Sequence, residues 1–518
     1  MNHHDAAIRR STLILTFTSI ASHLLAFVYR VFLSRLVGAE VLGLYQLIMP
    51  VYSVLMSLTA IGLTAAASNL SARYHALGNV RAISQVIRRC LRSFFLLLFP
   101  VAAVVLLFSD AVSVHLLGDA RTRLGLILLL PCIAFTGVEN LHKHYFYGIG
   151  NVRPPAAVEI AEQFIRSGTV LALLILFLPQ SPERTVGLIV KGMVLCEIFS
   201  SVTLVLLYRR RMGPPHALPG HGECAGELSK RIRAIALPVG ATALLGNLMS
   251  SANSVLIPQR LVAGGMEVQT ALSAFGVLFG MTLPMLLLPS AFIGALSLVL
   301  TPKLAENSAL GRREEIRRLI DKSLLTTSVL ILPVMALLVV VGPSVGFFLF
   351  REPSSGHYLL PLSLGVALSC YQAVLGSSLN GVGRQKIAAR NLLLCDGVQL
   401  VFTYVTVSRP QWGLKGYVAG FVVSSALGMA LNWISVLRST GLKPRIFLWL
   451  LAPALAALLS GLCCNLLFAV LTERGLSPVA AAGACLLFGG VLYLSALQAQ
   501  GVPFLRLFGF RRSACNVP

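Results

Sequence analysis

The sequence predicts an all-α integral membrane protein of about fourteen transmembrane helices. These are arranged as two parallel six-helix lobes followed by two further helices. Three observations predict it. Hydrophobic residues make up 56% of the 518 and charged residues 12%, with a mean hydropathy of +0.82; a soluble domain carries roughly 25% charge. Apolar runs long enough to span a bilayer, about 20 residues each, recur along the whole chain. Finally, the chain repeats itself at an offset of 233 residues.

The fourteen runs cover 12–34, 43–67, 92–117, 124–147, 156–178, 186–208, 235–258, 271–300, 323–350, 357–380, 390–408, 413–437, 446–470 and 478–499. Lipid offers no partner to a free backbone group, so runs of this kind fold as helices. The first is too long for a cleaved signal and lacks a small-residue cleavage site, so it is expected to be helix 1 of the mature protein.

The net charge of +23 does not indicate nucleic acid, because its distribution follows the membrane. Most of the 42 Lys and Arg fall in the N-terminal tail, the even-numbered loops and the C-terminal tail. That is the positive-inside bias. It places both termini in the cytoplasm and the protein in the plasma membrane, with its basic faces against anionic lipid. The ten cysteines lie mostly in apolar runs and show no CxxC spacing, so neither a disulfide nor a metal site is expected. His3 and His4 alone are a poor basis for metal binding.

The repeat aligns 43–187 with 276–420 without a gap. Gly43 meets Gly276, Gly78 meets Gly311, Gly148 and Gly150 meet Gly381 and Gly383, and Gly187 meets Gly420. Five of the ten glycines in the window are matched, where about one is expected by chance. The period holds six helices. Six is even, so both copies enter the membrane in the same direction and are related by an axis along its normal. The expected organisation is an N-terminal lobe at 1–208, a basic linker at 209–234, a C-terminal lobe at 235–440, and helices 13 and 14 with a basic tail at 441–518.

Taken in order, the helices carry few ionisable groups, and these are the candidates for work inside the membrane. Helix 1 has His23, Arg30 and Arg35; His23 and Arg30 are seven apart and share a face. Pro50 is expected to kink helix 2. Helix 4 ends in ENLHKHYFYG, where Glu139 and Lys143 are spaced for an ion pair. Its Gly148 and Gly150, and Gly381 and Gly383 of helix 10, form GxG turns that cap a helix or act as hinges. Helix 5 places Glu159, Glu162 and Arg166 on one face. On helix 6, Lys191 and Glu197 are expected to pair across the lobe. Helix 7 offers Asn247, Ser250, Ser251, Asn253, Pro258 and Arg260, as tight packing or as cavity lining. Pro284 and Pro289 are expected to bend helix 8. Helix 11 carries Asp396.

Two similar lobes around a central space suit alternating access. His23, Arg30, Arg260, Asn247 and Asn253 are the candidate substrate-binding residues, and Glu162, Glu197 and Asp396 the candidate coupling carboxylates. No GxxxxGK[ST] motif for nucleotide use is present, and only 19 acidic residues leave no loop cluster for a metal- or nucleotide-dependent transferase. No cofactor is expected; coupling is expected to Na⁺, H⁺ or the membrane potential.

The segment SRLVGAEVLGLYQLIMPVYSVLMSLTAIGLTAAASNLSARY, from Ser34 to Tyr74, resembles the stage V sporulation protein B family. That family lies in the polysaccharide transporter branch of the MATE-like (MOP) flippase superfamily, beside the lipid II flippases. The GxG turns and the fourteen-helix plan are similar too. The resemblance implies flipping of undecaprenyl-diphosphate-linked oligosaccharide for peptidoglycan, spore cortex or polysaccharide, with cell-wall synthesis proteins as partners. It also implies cavity arginines that hold a diphosphate. Here His23 stands where the lipid II flippases have the first such arginine. The second falls at Tyr29, beside Arg30, while VYSVLMSL and FGVLFGMTLPMLLLP carry no cation. The rival expectation is a MATE-type Na⁺- or H⁺-coupled cation or drug antiporter, which needs a carboxylate to trade one cation for another.

Overall fold

A computed structural model describes residues 3–213 and 219–502. The basic tail expected after 502 lies outside the described residues. Every element among these residues is helical. The first rod, His3–Met56, is broken at Gly38, which adopts φ 76° where only glycine sits without strain. The break parts α1 (3–37) from α2 (39–76), which continues through a π turn at Ser57–Ile61. There follow α3 (Val80–Leu107), α4 (Arg123–Gly148), α5 (Arg153–Phe177) and α6 (Pro182–Met212). Next are α7 (Ala225–Ala263) and α8 (268–309), the latter with a π turn at Val277–Thr282 and an interruption at Pro289. The remainder are α9 (Arg313–Phe350), α10 (Leu359–Gly381), α11 (Gln385–Thr406), α12 (Leu414–Thr440), α13 (Phe447–Glu473) and α14 (Pro478–Ala499).

By length and composition, twelve stretches among the described residues can cross a membrane. The first of them, Thr16–Ala76, contains both α1 and α2, and α11 is as long as a span but more polar. The fourteen expected runs thus correspond to the fourteen helices.

Packing divides the chain into two compact units, Met1–Gly280 with Ser408–Gln411, and Met281–Val407 with Trp412–Pro518. In the first, α4 and α5 pack on α6, and α2 packs on α4 and α7. Its core includes Tyr74, Phe94, Tyr145 and Phe146. In the second, α11 and α10 pack on α12, while α13 and α14 pack on α9 around Leu337, Val341, Cys464 and Cys485. The packing boundary at Gly280 falls after the basic linker, because α7 and the start of α8 lie against α1 and α2.

Glycine makes those crossings close. A Cβ on Gly43 would meet the Leu272 carbonyl, and one on Gly276 would meet the Ala39 carbonyl. Residues 39 and 43 are the repeat partners of 272 and 276, so α2 and α8 touch reciprocally at equivalent positions. A twofold relation between two copies gives this kind of self-complementary contact. The repeat also recurs at the GxG turns. Gly148 packs on Ser68 and Ser71 of α2; Gly381 packs on Thr301 and Leu304 of α8, which are the same positions one period later. The second glycine of each turn has positive φ, 73° at Gly150 and 80° at Gly383.

Candidate functional site

The first unit holds a buried charged cluster, built by α2, α4, α5 and α6. Offsets of three and four residues along α5 bring Glu159, Glu162 and Arg166 onto the face that meets α4 and α6. Arg166 Nη2 bonds the Glu162 carboxylate one turn back and lies 3.0 Å from Glu197 Oε1 on α6. Glu162 and Glu197 are 6% and 2% exposed. The other Glu197 oxygen accepts from Thr136 Oγ1 at 2.8 Å, and Thr136 accepts from the Tyr52 hydroxyl of α2 at 3.2 Å. Glu139 of α4, also buried, brings a carboxylate oxygen within 4.8 Å of both Glu162 and Glu197. At the far side Lys143 pairs with Glu159 at 2.8 Å.

Four carboxylates therefore meet two cations inside a membrane bundle. Burying an ion pair already costs several kcal/mol per ion unless geometry and hydrogen bonds offset it. The surplus carboxylates need a proton or a small cation to balance them. Glu139, Glu162 and Glu197 are the group among the described residues that could hold such a cation, although Arg166 occupies oxygens of two of them. Close by, Cys196 Sγ contacts the Glu162 carbonyl at 3.3 Å. On α1, the Tyr29 hydroxyl is buried without a hydrogen-bond partner among the described residues.

One expected pairing is corrected. Lys143 bonds Glu159 rather than Glu139, because the α4–α5 contact brings the neighbouring helix nearer than the next turn of its own. Glu197 does pair across the lobe, with Arg166 of α5, whereas Lys191 is exposed on α6 and forms no ion pair among the described residues. Thr136 and Tyr52 were not marked by the sequence: a lone hydroxyl in an apolar run gives no signal of its own.

The remaining candidates are dispersed. His23 is exposed on α1, with Nδ1 2.7 Å from the Ser19 carbonyl, and Arg30 is half-buried. Asn247 donates to Ser57 Oγ, tying α7 to the π turn of α2. Asn253 is 9% exposed and Nδ2 lies 3.5 Å from the Met249 carbonyl. Arg260 Nη2 donates to Ser408 Oγ at 3.0 Å. Asp396, in the second unit, is half-buried and forms no ion pair among the described residues. Of the three coupling candidates, Glu162 and Glu197 are brought together and Asp396 is not. At the end of the first unit away from the basic loops, Glu40 takes Arg121 at 2.6 Å and Gln269 at 2.9 Å.

Residues 8–308 match the sequence profile of the polysaccharide biosynthesis protein family. The chain belongs to that family. It is 26% identical over 440 residues to Stage V sporulation protein B of Bacillus subtilis (strain 168), covering 82% of this chain and 83% of the relative. It is 23% identical over 476 residues to Lipid II flippase MurJ of the same organism, covering 85% of each. Among solved structures, lipid II flippase MurJ in an inward closed conformation superposes with a TM-score of 0.69 at 13% identity, over 96% of this chain and 99% of that one. An inward-facing multidrug resistance MATE family transporter of the MOP superfamily gives 0.66 at 16% identity, over 83% and 100%. The fold is that of the MOP transporters, and the chain is a multi-pass membrane protein.

Proposed function

We propose that this family member is a flippase for lipid-linked oligosaccharide, a transporter rather than an enzyme. What carries the reading is the doubled six-helix plan in a polysaccharide biosynthesis family chain, with a relative over 85% of both lengths named a lipid II flippase. The substrate class is undecaprenyl-diphosphate-linked sugar, as a peptidoglycan, spore-cortex or polysaccharide unit. Both termini face the cytoplasm, as the loop charges indicate. His23 and Arg30 of helix 1, together with Arg260, bind the diphosphate; Asn247 and Asn253 line the path. A negative-inside potential helps expel the anionic head group by about 2.3 kcal/mol per charge per 100 mV.

The carboxylates Glu162 and Glu197, with Glu139 beside them, couple the cycle. Taking up a proton or a small cation removes their surplus charge, and the helices that carry them respond.

The test is transfer of an undecaprenyl-diphosphate sugar lipid in proteoliposomes, read by a probe confined to the outer leaflet. Transfer faster than in protein-free vesicles, abolished by Arg30→Ala and decoupled from pH or Na⁺ by Glu162→Gln, is the expected result. A second reading, a MATE-type cation antiporter, draws on the same buried carboxylates. It wins if the vesicles move a cationic dye against a Na⁺ or H⁺ gradient and move no lipid.

A further inference from the structure

On the other side of α4 from the carboxylate cluster, the first unit contains a cavity of about 640 Å³ between α3, α4 and α6. A volume of that size is typical of a site for a small organic ligand. Helix periodicity separates the two sites. Glu139 and Lys143 of α4 face α5, whereas Val138 and His142, one residue earlier in each turn, line the cavity. Nothing in the transport reading uses it.

The cavity is polarised along its length. At one end stand Arg88 of α3 and Arg209 of α6, both exposed, and neither guanidinium forms an ion pair or hydrogen bond among the described residues. This contrasts with their neighbours. Arg89 is held by Ser229 at 2.8 Å, and Arg231 by Glu227 at 2.5 Å. Among the described residues, no carboxylate lines the cavity. Two unpaired guanidiniums at one mouth form an anion site, and the guanidinium fork suits phosphate oxygens in particular.

Deeper in, the walls are apolar and aromatic, including Leu91 and Phe95. His142 is 3% exposed; its Nδ1 lies 2.7 Å from the Val138 carbonyl and its ring meets Tyr208 edge-on at 5.0 Å. Its other nitrogen has no hydrogen-bond partner among the described residues. Beyond the cavity the same two helices expose an apolar stripe, with Leu96 and Phe99 on α3 and Val202 and Leu206 on α6. In a membrane protein that stripe faces acyl chains. A charged head over an apolar body, in line with the membrane, is the shape of a phospholipid.

We propose that this cavity is a binding site for one anionic glycerophospholipid of the leaflet on the basic side. Arg88 and Arg209 take the phosphate, the glycerol region fills the cavity over His142 and Tyr208, and the acyl chains follow the α3–α6 stripe. A soluble phosphate leaves the apolar walls uncovered. A zwitterionic lipid carries no net charge to match the two arginines. The bound lipid ties α3 to α6 and so braces the bundle that holds the charged cluster.

The test is native mass spectrometry of the full-length protein in detergent, titrated separately with phosphatidylglycerol and phosphatidylethanolamine. Wild type is expected to keep one phosphatidylglycerol with higher affinity than the rest. Arg88→Ala/Arg209→Ala should weaken that adduct about 25-fold, at about fivefold per cation near an anionic head group, and leave phosphatidylethanolamine adducts unchanged. Leu91→Trp, which fills the cavity and keeps both arginines, should lose the same adduct, so the test survives if the arginine variant is poorly folded. Equal phosphatidylglycerol binding by wild type and both variants would overturn the site. So would displacement of the lipid by millimolar inorganic phosphate, or selective loss of undecaprenyl phosphate in its place, since the occupant would then be a free anion or the transport substrate. None of these readouts depends on transport.

Discussion

The interiors of α5–α6 and α11–α12 occupy matching places in the two copies of the repeat, and they are held together by different chemistry. In the first copy Arg166 joins Glu162 to Glu197. One period later its place is taken by Gln399. Gln399 Nε2 donates to the Tyr417 carbonyl at 3.3 Å, and its Oε1 accepts from Ser424 at 3.0 Å. Nearby, Asn391 donates to Asn432 Oδ1 at 3.0 Å, and Asn432 donates to the Gln372 carbonyl at 3.1 Å. Among the described residues, the second copy therefore ties its helices at this depth with amide and hydroxyl hydrogen bonds. Charge is not needed to hold the bundle. Its presence in the first copy, at the cost of burying ions, is better explained by a changing charge state during transport than by stability.

The largest expected effect comes from making the first copy like the second. Arg166→Gln removes the cation and leaves Glu162 and Glu197 buried without compensation. A loss of about 3–5 kcal/mol is expected, seen as a sharply lower unfolding temperature in detergent. Adding Glu162→Gln and Glu197→Gln rebuilds a neutral amide network and should recover most of that stability, while lipid transfer stays uncoupled from pH and Na⁺. Transfer with unaltered coupling in the stable triple variant would show that the charges serve the structure only.

The sequence carried the helices and their doubling almost completely, because apolar length and glycine spacing are local signals. Gly148 and Gly381 were visible as matched glycines before either was known to sit on α2 or α8. The site was partly legible. Glu162 and Arg166 are one turn apart on one helix, so their contact follows from periodicity. The Glu197 contact crosses between α5 and α6 and has no spacing rule, so a pairing across the lobe could be expected while its partner, Arg166, could not be named. Lys143 misled for the same reason: Glu139 offered the local partner, but Glu159 of the packed helix took it. Contacts within a helix can be read from spacing, whereas contacts between helices depend on rotation and depth, which composition does not encode.

A smaller effect is expected from the neutral side of the comparison. Gln399→Ala removes the amide that links α11 to Ser424 and Tyr417 of α12. Interhelical hydrogen bonds in membranes are worth roughly 1–2 kcal/mol or less, so the variant should unfold only slightly earlier than wild type. Lipid transfer should persist with its ion dependence intact. Loss of coupling in Gln399→Ala, equal to that in Glu197→Gln, would mean that the second copy shares the coupling role and that the contrast between charged and neutral interiors has no functional content.

Effects on stability with the ion dependence of transfer left intact are expected from the feature that the two copies share. At Gly148 a new Cβ would press on the Ser68 carbonyl and Ser71; at Gly381 it would stand 2.7 Å from Leu304 Cβ and 2.9 Å from the Thr301 oxygen. Overpacking of this kind costs about 1–3 kcal/mol, and Gly148→Ala and Gly381→Ala should destabilise alike because the contacts are repeat partners. Gly150 and Gly383 differ in cause. No atom lies within 4 Å of a Cβ built on either, so only the positive φ resists a side chain. Alanine there costs about 1 kcal/mol, and the two variants should again match. Slower lipid transfer in Gly150→Ala and Gly383→Ala, at unchanged unfolding temperature, would identify the turns as hinges. Unchanged transfer with a small drop in stability would leave them as helix stops, repeated because the fold that needs them is repeated.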